Sequence, residues 1–331
     1  MTPYHRPRRL RRSPALRDLV AEHRVHPDQL VMPHFCLNAD AAREPIPSMP
    51  GIERHGRAEL VERVGRDLDL GIKSVLLFGL AGDGEKDPVG NTSDSPDGAV
   101  PRAVAALKEA YGSDVVVMTD VCLCAYTDHG HCGVLEGGVV KNDPSLPRLA
   151  RMARAHAEAG ADVVAPSDMM DGRVEAIRDE LDEHGLEEVA IMAYSAKYAS
   201  AYYGPFRDAA DSAPAEGGDV PKDRKTYQMD ARNRWEARRE TLLDEAEGAD
   251  IVMVKPGLAY LDVVAELDRT TDLPVAIYNV SGEYSMVKAA AERGWVDEAA
   301  VVSENLHAFV RAGADILITY HAREALERAW L

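Results

Sequence analysis

The chain is poor in cysteine. It has four in 331 residues, and three of them, Cys122, Cys124 and Cys132, crowd into one short stretch. So sparse and local a set cannot staple a large secreted domain, which excludes a disulfide framework and turns attention to metal binding. No run of about 18 apolar residues is present, so no membrane-spanning helix is expected. The start, MTPYHRPRRLRRSPALR, has no apolar segment behind its basic residues and does not read as a secretory signal. A cytoplasmic protein without membrane partners is the expectation.

Acid is missing from the first seventeen residues, which hold six arginines. The whole chain has a net charge of −18, so residues 18–331 carry −24 once those six charges are set apart. A basic arm on an acidic body would repel nucleic acid phosphates everywhere but at the arm. Docking of the arm onto a neighbouring acidic subunit is the preferred reading, with no nucleic acid partner. The acidic body and many alanines would also suit a salt-rich cytoplasm.

What the chain does have is eight short β-branched runs bounded by Gly, Pro or Asp. They are LVMPHFC (30–36), KSVLLFG (73–79), DVVVMTD (114–120), DVVAPS (162–167), EVAIMAYS (188–195), DIVMVKP (250–256), LPVAIYNV (273–280) and DILITYH (315–321). Segments with apolar residues recurring at three and four, such as RAELVERVGRDLDLG and SLPRLARMARAHAEAG, separate them and predict helices. A weak echo, AGADVV, EGADIV and AGADIL, joins helix ends to strand starts, with each glycine suited to the left-handed position beyond a helix. Near-continuous apolar strands imply a parallel sheet covered by helices. Eight such units close most simply into a (β/α)8 TIM barrel, a doubly wound open sheet being the alternative.

Barrel enzymes place their chemistry at the C-terminal ends of the strands. Asp120, Cys122 and Cys124 stand there on strand three, Ser167 and Asp168 on strand four, Ser195 and Lys197 on strand five. Lys255, Ser281 and Tyr320 follow on strands six to eight. The C-x-C-x7-C set offers three thiolates, which leave a tetrahedral zinc one open position. Three buried cysteines acting as small hydrophobes are the plain alternative. His129 and His131 read better as groups that orient a neighbour or cap the turn than as ligands. A lysine held in apolar surroundings loses hydration, which frees its amine as a nucleophile toward a carbonyl; a second lysine nearby adds to the effect. Lys255 and Lys197 are candidates, although strand-end lysines commonly snorkel to water. The long Gly-, Pro- and charge-rich stretch after strand five reads as a lid from which Arg207 and Arg224 can reach a carboxylate.

Nine stretches together identify a family. RPRRLRRSPALRDLV, SMPGIERH, DVCLCAYTDHGHCG, APSDMMDGRVEAIR, YSAKYASAYYGPFRDAA, DRKTYQMD, MVKPGLAYLDVV, YNVSGEYSM and AGADILITY resemble 5-aminolevulinate dehydratase (porphobilinogen synthase) nearly from end to end. The resemblance implies condensation of two 5-aminolevulinate molecules to porphobilinogen with loss of two waters. Lys255 would form a Schiff base with the first substrate, whose carboxylate Ser281 and Tyr320 hold. Lys197 would serve the second substrate, with Arg207, Arg224 and Gln228 on its carboxylate. Asp120, Ser167, Tyr203 and Phe206 would line the cavity. It further implies zinc on Cys122, Cys124 and Cys132, and places Glu240 where part of the family binds an activating magnesium between subunits. A homo-octamer is the implied assembly.

The expected organisation is an arm over residues 1–29 and a barrel over 30–331, with a lid at about 203–228. An extended acidic stretch, Asp208 to Asp219, and Ala125, where bulkier residues are common, depart from the family pattern. A lysine-dependent aldolase acting on a sugar phosphate would leave the cysteines idle, and the chain shows no dedicated Gly-rich phosphate loop for it. A zinc-stabilised scaffold without catalysis is the non-enzyme alternative.

Overall fold

The eight apolar runs form eight parallel strands in a computed structural model that describes residues 4–82, 84–215, 217 and 219–331. They are β1 (Leu30–Cys36), β2 (Ser74–Gly79), β3 (Val116–Val121), β4 (Val163–Pro166), β5 (Ala190–Lys197), β6 (Ile251–Lys255), β7 (Val275–Asn279) and β8 (Ile316–Thr319). Each pairs with its sequence neighbour, and β1 also pairs with β8, Leu30 opposite Leu317 and Val31 opposite Ile318. That pairing closes the sheet into a (β/α)8 barrel and excludes the open alternative. Residues 1–3 of the expected arm and residues 216 and 218 of the expected lid lie outside the described residues.

The Gly-Ala-Asp echo has a physical cause. Gly160, Gly248 and Gly313 have φ of 104°, 102° and 109°, a conformation glycine adopts without the Cβ penalty. The aspartate two residues later then grips the start of the preceding strand at both backbone groups. Asp162 donates its N–H to Val117 O (3.0 Å) and accepts from Val117 N at Oδ2 (2.7 Å). Asp250 does the same to Ile191 (2.9 and 2.8 Å), and Asp315 to Val275 (both 2.9 Å). Three αβ junctions thus fasten β4 to β3, β6 to β5 and β8 to β7 in fixed register. Each carboxylate bond of this type contributes about 1.5–3 kcal/mol.

The largest apolar cluster joins Phe35, Leu76, Met118, Tyr194, Met253 and Ile318 from six strands, all at most 5% exposed. Burial of such a side chain stabilises by about 1.5–3 kcal/mol. Helices Arg57–Asp69, Ala99–Tyr111, Leu146–Glu158, Arg173–Glu183 and Glu298–Ala312 cover the outside. Two small hairpins, Arg43–Pro45 with Glu53–His55 and Val134–Glu136 with Val139–Lys141, were absent from the sequence expectation. Their three-residue strands are too short to show a period of two. Glu53–His55 also pairs with the end of β1, which places the first hairpin beside the barrel mouth. Ahead of β1, Pro7–Arg11 and the helix Pro14–Leu19, capped by Ser13 on Leu16 N (3.3 Å), contain no buried residue.

Candidate active site

The two lysines are neighbours across the β5–β6 ladder, Lys197 directly opposite Lys255. Strict alternation along β5 would send Tyr194 and Lys197, three residues apart, to opposite faces. A bulge resolves this: Ala193 and Ala196 pair with Val252 and Val254, so β5 holds one residue more than β6 between the two pairs. The Lys197 ammonium accordingly sits over the Tyr194 ring, 5.5 Å from its centroid, and donates to Ser167 O. Sequence reasoning missed Tyr194 because a bulge leaves no mark in the hydrophobic pattern.

Lys255 Nζ is enclosed by rings. It lies 4.3 Å from the centroid of Tyr278, 4.9 Å from Phe206, 5.1 Å from Tyr194 and 5.5 Å from Tyr203. Phe35 and Phe78 continue this wall, so three of the chain's four phenylalanines gather at one mouth. Burial first, and then the charge on Lys197, bring the Lys255 amine down to about 7. The rings attract its cationic form, which opposes the effect of burial. The Asp120 carboxyl, raised by burial against the pull of both lysines, also faces this space, and its Oδ1 has no hydrogen-bond partner.

Beside the lysines the chain leaves β3 through a short turn, Leu123–Ala125, and returns at Cys132. The sulfurs of Cys122, Cys124 and Cys132 all lie within 4.8 Å of one another, with Cys122 and Cys124 at 3.3 Å. Three thiolates about 2.3 Å from one tetrahedral ion would stand about 3.8 Å apart, so the triad fits a metal ion. Hydrogen bonds from Cys122 and Cys124 hold the Cys132 thiol well below its usual range, while the Cys122 and Cys124 thiols are themselves raised. The histidines of this loop are engaged elsewhere. His129 Nε2 meets Pro88 O (3.2 Å), while the two ring nitrogens of His131 meet Tyr227 OH (3.0 Å) and Pro221 O (2.8 Å).

Those last contacts belong to the lid, which is seated on the cysteine loop. Gly130, at φ 70°, permits the approach, since a Cβ there would lie 2.3 Å from Ala213 O. Arg224 is buried and donates through Nη2 to Gly130 O (2.9 Å) and Ser212 O (2.7 Å). Arg224 Nε, Arg207 Nε and Gln228 Nε2 are buried without a partner among the described residues. Burial and then the Arg224 charge press the Arg207 guanidinium below its ordinary range. Two guanidiniums and an amide with unused donors, and no acid pairing them among the described residues, form a receptor for an anion.

On the opposite rim, Ser281 Oγ accepts from Phe206 N (2.9 Å), and Tyr320 OH meets Tyr278 OH at 2.9 Å. Glu283, which sequence reasoning also missed, accepts from Val280 N (2.7 Å) and Leu258 N (2.6 Å). It ties the helix starting at Ser281 to the loop leaving Lys255. Glu240 stands apart. It lines a cavity of about 310 Å³ with Asp171 and Glu236, whose wall also includes Tyr227 and Gln228 of the lid, and burial and then the Asp171 charge raise its carboxyl. Among the described residues, the cysteine triad is the group of three ligating side chains close enough to share one ion.

Comparison with known proteins agrees with this architecture. The family model "ALAD: Delta-aminolevulinic acid dehydratase" matches residues 4–328. The delta-aminolevulinic acid dehydratase of Synechococcus elongatus is 52% identical over all of both chains. That of Methanothermus sociabilis is 49% identical, covering 98% of each. A crystal structure of the Toxoplasma gondii enzyme in complex with the reaction product porphobilinogen superposes with a TM-score of 0.95 at 48% identity, covering 99% of this chain and 92% of that one. Matched in sequence and in fold over nearly its whole length, the chain belongs to the delta-aminolevulinic acid dehydratase family.

Proposed function

We propose that the chain condenses two 5-aminolevulinate molecules to porphobilinogen with loss of two waters, a step of tetrapyrrole biosynthesis. The observation that carries this reading is the pair of buried lysines on adjacent strand ends, flanked by a cysteine triad and by Arg207 and Arg224, which have no acid partner among the described residues. Neutral Lys255 attacks the ketone carbon of the first substrate, and the ketone oxygen leaves as water when the imine forms. Ser281 and Tyr320 hold that substrate's carboxylate. Lys197 treats the second ketone in the same way, with Arg207, Arg224 and Gln228 on the second carboxylate. Asp120, whose carboxyl is raised by burial, would give and take the protons of both dehydrations. Ser167, Tyr203 and Phe206 line the space and exclude water. Carbon–carbon and carbon–nitrogen bonds then close the ring as both lysines depart as amines, which balances two waters lost for one pyrrole formed.

Cys122, Cys124 and Cys132 would hold zinc, which as a Lewis acid favours the free-amine form of the second substrate and orients it. Glu240 and Asp171 provide two carboxylates, as a hydrated magnesium commonly uses. The exposed arginine-rich arm, residues 4–29, suits contacts with the acidic surface of another copy in a homo-octamer. A cytoplasmic location accords with the absence, among the described residues, of any helix long and apolar enough to cross a membrane.

The test is incubation with 5-aminolevulinate and a colour reaction for the pyrrole. Product is expected, and none after prolonged incubation with zinc supplied would refute the assignment. The pH profile carries a sign. Lys255 reacts only after losing its proton, so imine formation should rise as pH climbs through about 7. An ordinary lysine would place that rise near 10.4, and a midpoint there would contradict the burial argument.

A further inference from the structure

The lid is fastened by two cations that do not reach the reacting groups. Arg54, on the hairpin strand Glu53–His55, donates from Nε to Ala209 O (2.8 Å) and from Nη2 to Asp208 O (2.6 Å). Its third nitrogen, Nη1, is held by Glu44 Oε2 at 3.1 Å, which fixes the plane of the guanidinium. Lys86, on the loop after β2, donates to Asp211 O (2.6 Å) and Asp211 Oδ2 (2.5 Å). Asp211 has φ 46°, a left-handed backbone that costs a non-glycine residue free energy and persists only where neighbours hold it.

Within this short segment lie the supports of both anion-binding arginines. Arg207 belongs to the helix Gly204–Ala209, and its carbonyl accepts from Ser212 N (3.1 Å). Arg224 reaches in from the far side of the lid to Ser212 O. The front of the lid is tied separately, through Phe206 N on Ser281 Oγ. The helix Gly204–Ala209 is thus tied at its front by Phe206 on Ser281 and at its back by Arg54 on Asp208 and Ala209. The front tie lies at the rim that serves the first substrate, the back tie at the arginines that serve the second.

We propose that Arg54 and Lys86 are positioning residues that latch Asp208–Ser212, so that Arg207 and Arg224 face the carboxylate of the second 5-aminolevulinate. This rests on the two-lysine reading above. The latch acts on second-substrate affinity and leaves the imine at Lys255 untouched. Both side chains are about one quarter exposed, 24% for Arg54 and 26% for Lys86, so their removal opens no core cavity.

The experiment uses the full chain with zinc. It compares Arg54→Ala, Lys86→Ala, their double variant, and the conservative Arg54→Lys and Lys86→Arg. Two quantities are read: the 5-aminolevulinate concentration for half-maximal turnover, and that for half-maximal borohydride trapping on Lys255. In the double variant the first should rise about tenfold or more, from the loss of charge-assisted bonds at both latches, while the second stays at the unsubstituted value. Lys86→Arg should recover most of the loss. Unchanged half-saturation for turnover in the double variant overturns the proposal, as does an equal rise in both quantities, which marks a general loosening. Absence of any Lys255 adduct in the unsubstituted enzyme instead refutes the lysine chemistry on which the latch depends.

Discussion

Lys255→Met should lower porphobilinogen formation by about 10⁴-fold or more while leaving the barrel folded. The large loss follows from the role assigned to the amine: it is the atom that bonds to the ketone, and no neighbouring group replaces it. Lys197 is directly opposite in the ladder, but its ammonium is turned toward Ser167 O and the Tyr194 ring. Removing a nucleophile that acts as one member of a unit commonly costs about as much as removing the unit. Folding should survive because an amine enclosed by Tyr278, Phe206, Tyr194 and Tyr203 is costly to charge, and an unbranched apolar side chain of similar length fills the same space. Turnover by the colour reaction and far-UV circular dichroism check both halves. Turnover within tenfold of the unsubstituted enzyme would remove Lys255 from the chemistry.

Chelation of zinc, or Cys124→Ala, should reduce turnover by about 10²-fold or more, with recovery when zinc is returned to the chelated enzyme. The secondary structure should persist. The three sulfurs form a small cluster of their own at the end of β3, with Tyr227 of the lid packed against it. The strand-to-strand core of Phe35, Leu76, Met253 and Ile318 does not pass through them. A scaffold whose fold depended on the metal would instead lose its helical signal on chelation, because binding energy would then be folding energy. Full activity in a zinc-free preparation would strip the triad of its assigned role.

Much of this site was legible in the sequence because barrel topology converts position into place. Once eight apolar runs were recognised, the polar residue ending each run had to lie at one mouth, which brought Asp120, Lys197, Lys255, Ser281 and Tyr320 together without any distance being known. The cysteine triad was legible as a local C-x-C-x7-C cluster, although Cys124 meets its partners from the turn Leu123–Ala125 and not from an extended strand. What escaped depends on register or on side-chain reach. The β5 bulge that turns Tyr194 and Lys197 the same way is set by pairing with β6. The double grip of Asp162, Asp250 and Asp315 on the preceding strands gives the Gly-Ala-Asp echo its meaning, yet the sequence shows only the repeat. His129 and His131 stood in a metal-like setting, and only their bonds to Pro88, Tyr227 and Pro221 reveal what their nitrogens do. Arg54 and Lys86 contact the lid over more than a hundred residues of chain, beyond the range of any local pattern.

The account stands on a dehydrated amine that captures the substrate ketone, and mass spectrometry after borohydride reduction addresses it most directly. Reduction of the enzyme mixed with 5-aminolevulinate near pH 8 should add one substrate-derived mass to the peptide bearing Lys255. That peptide isolated without the adduct, from enzyme that still makes the pyrrole, would contradict the account.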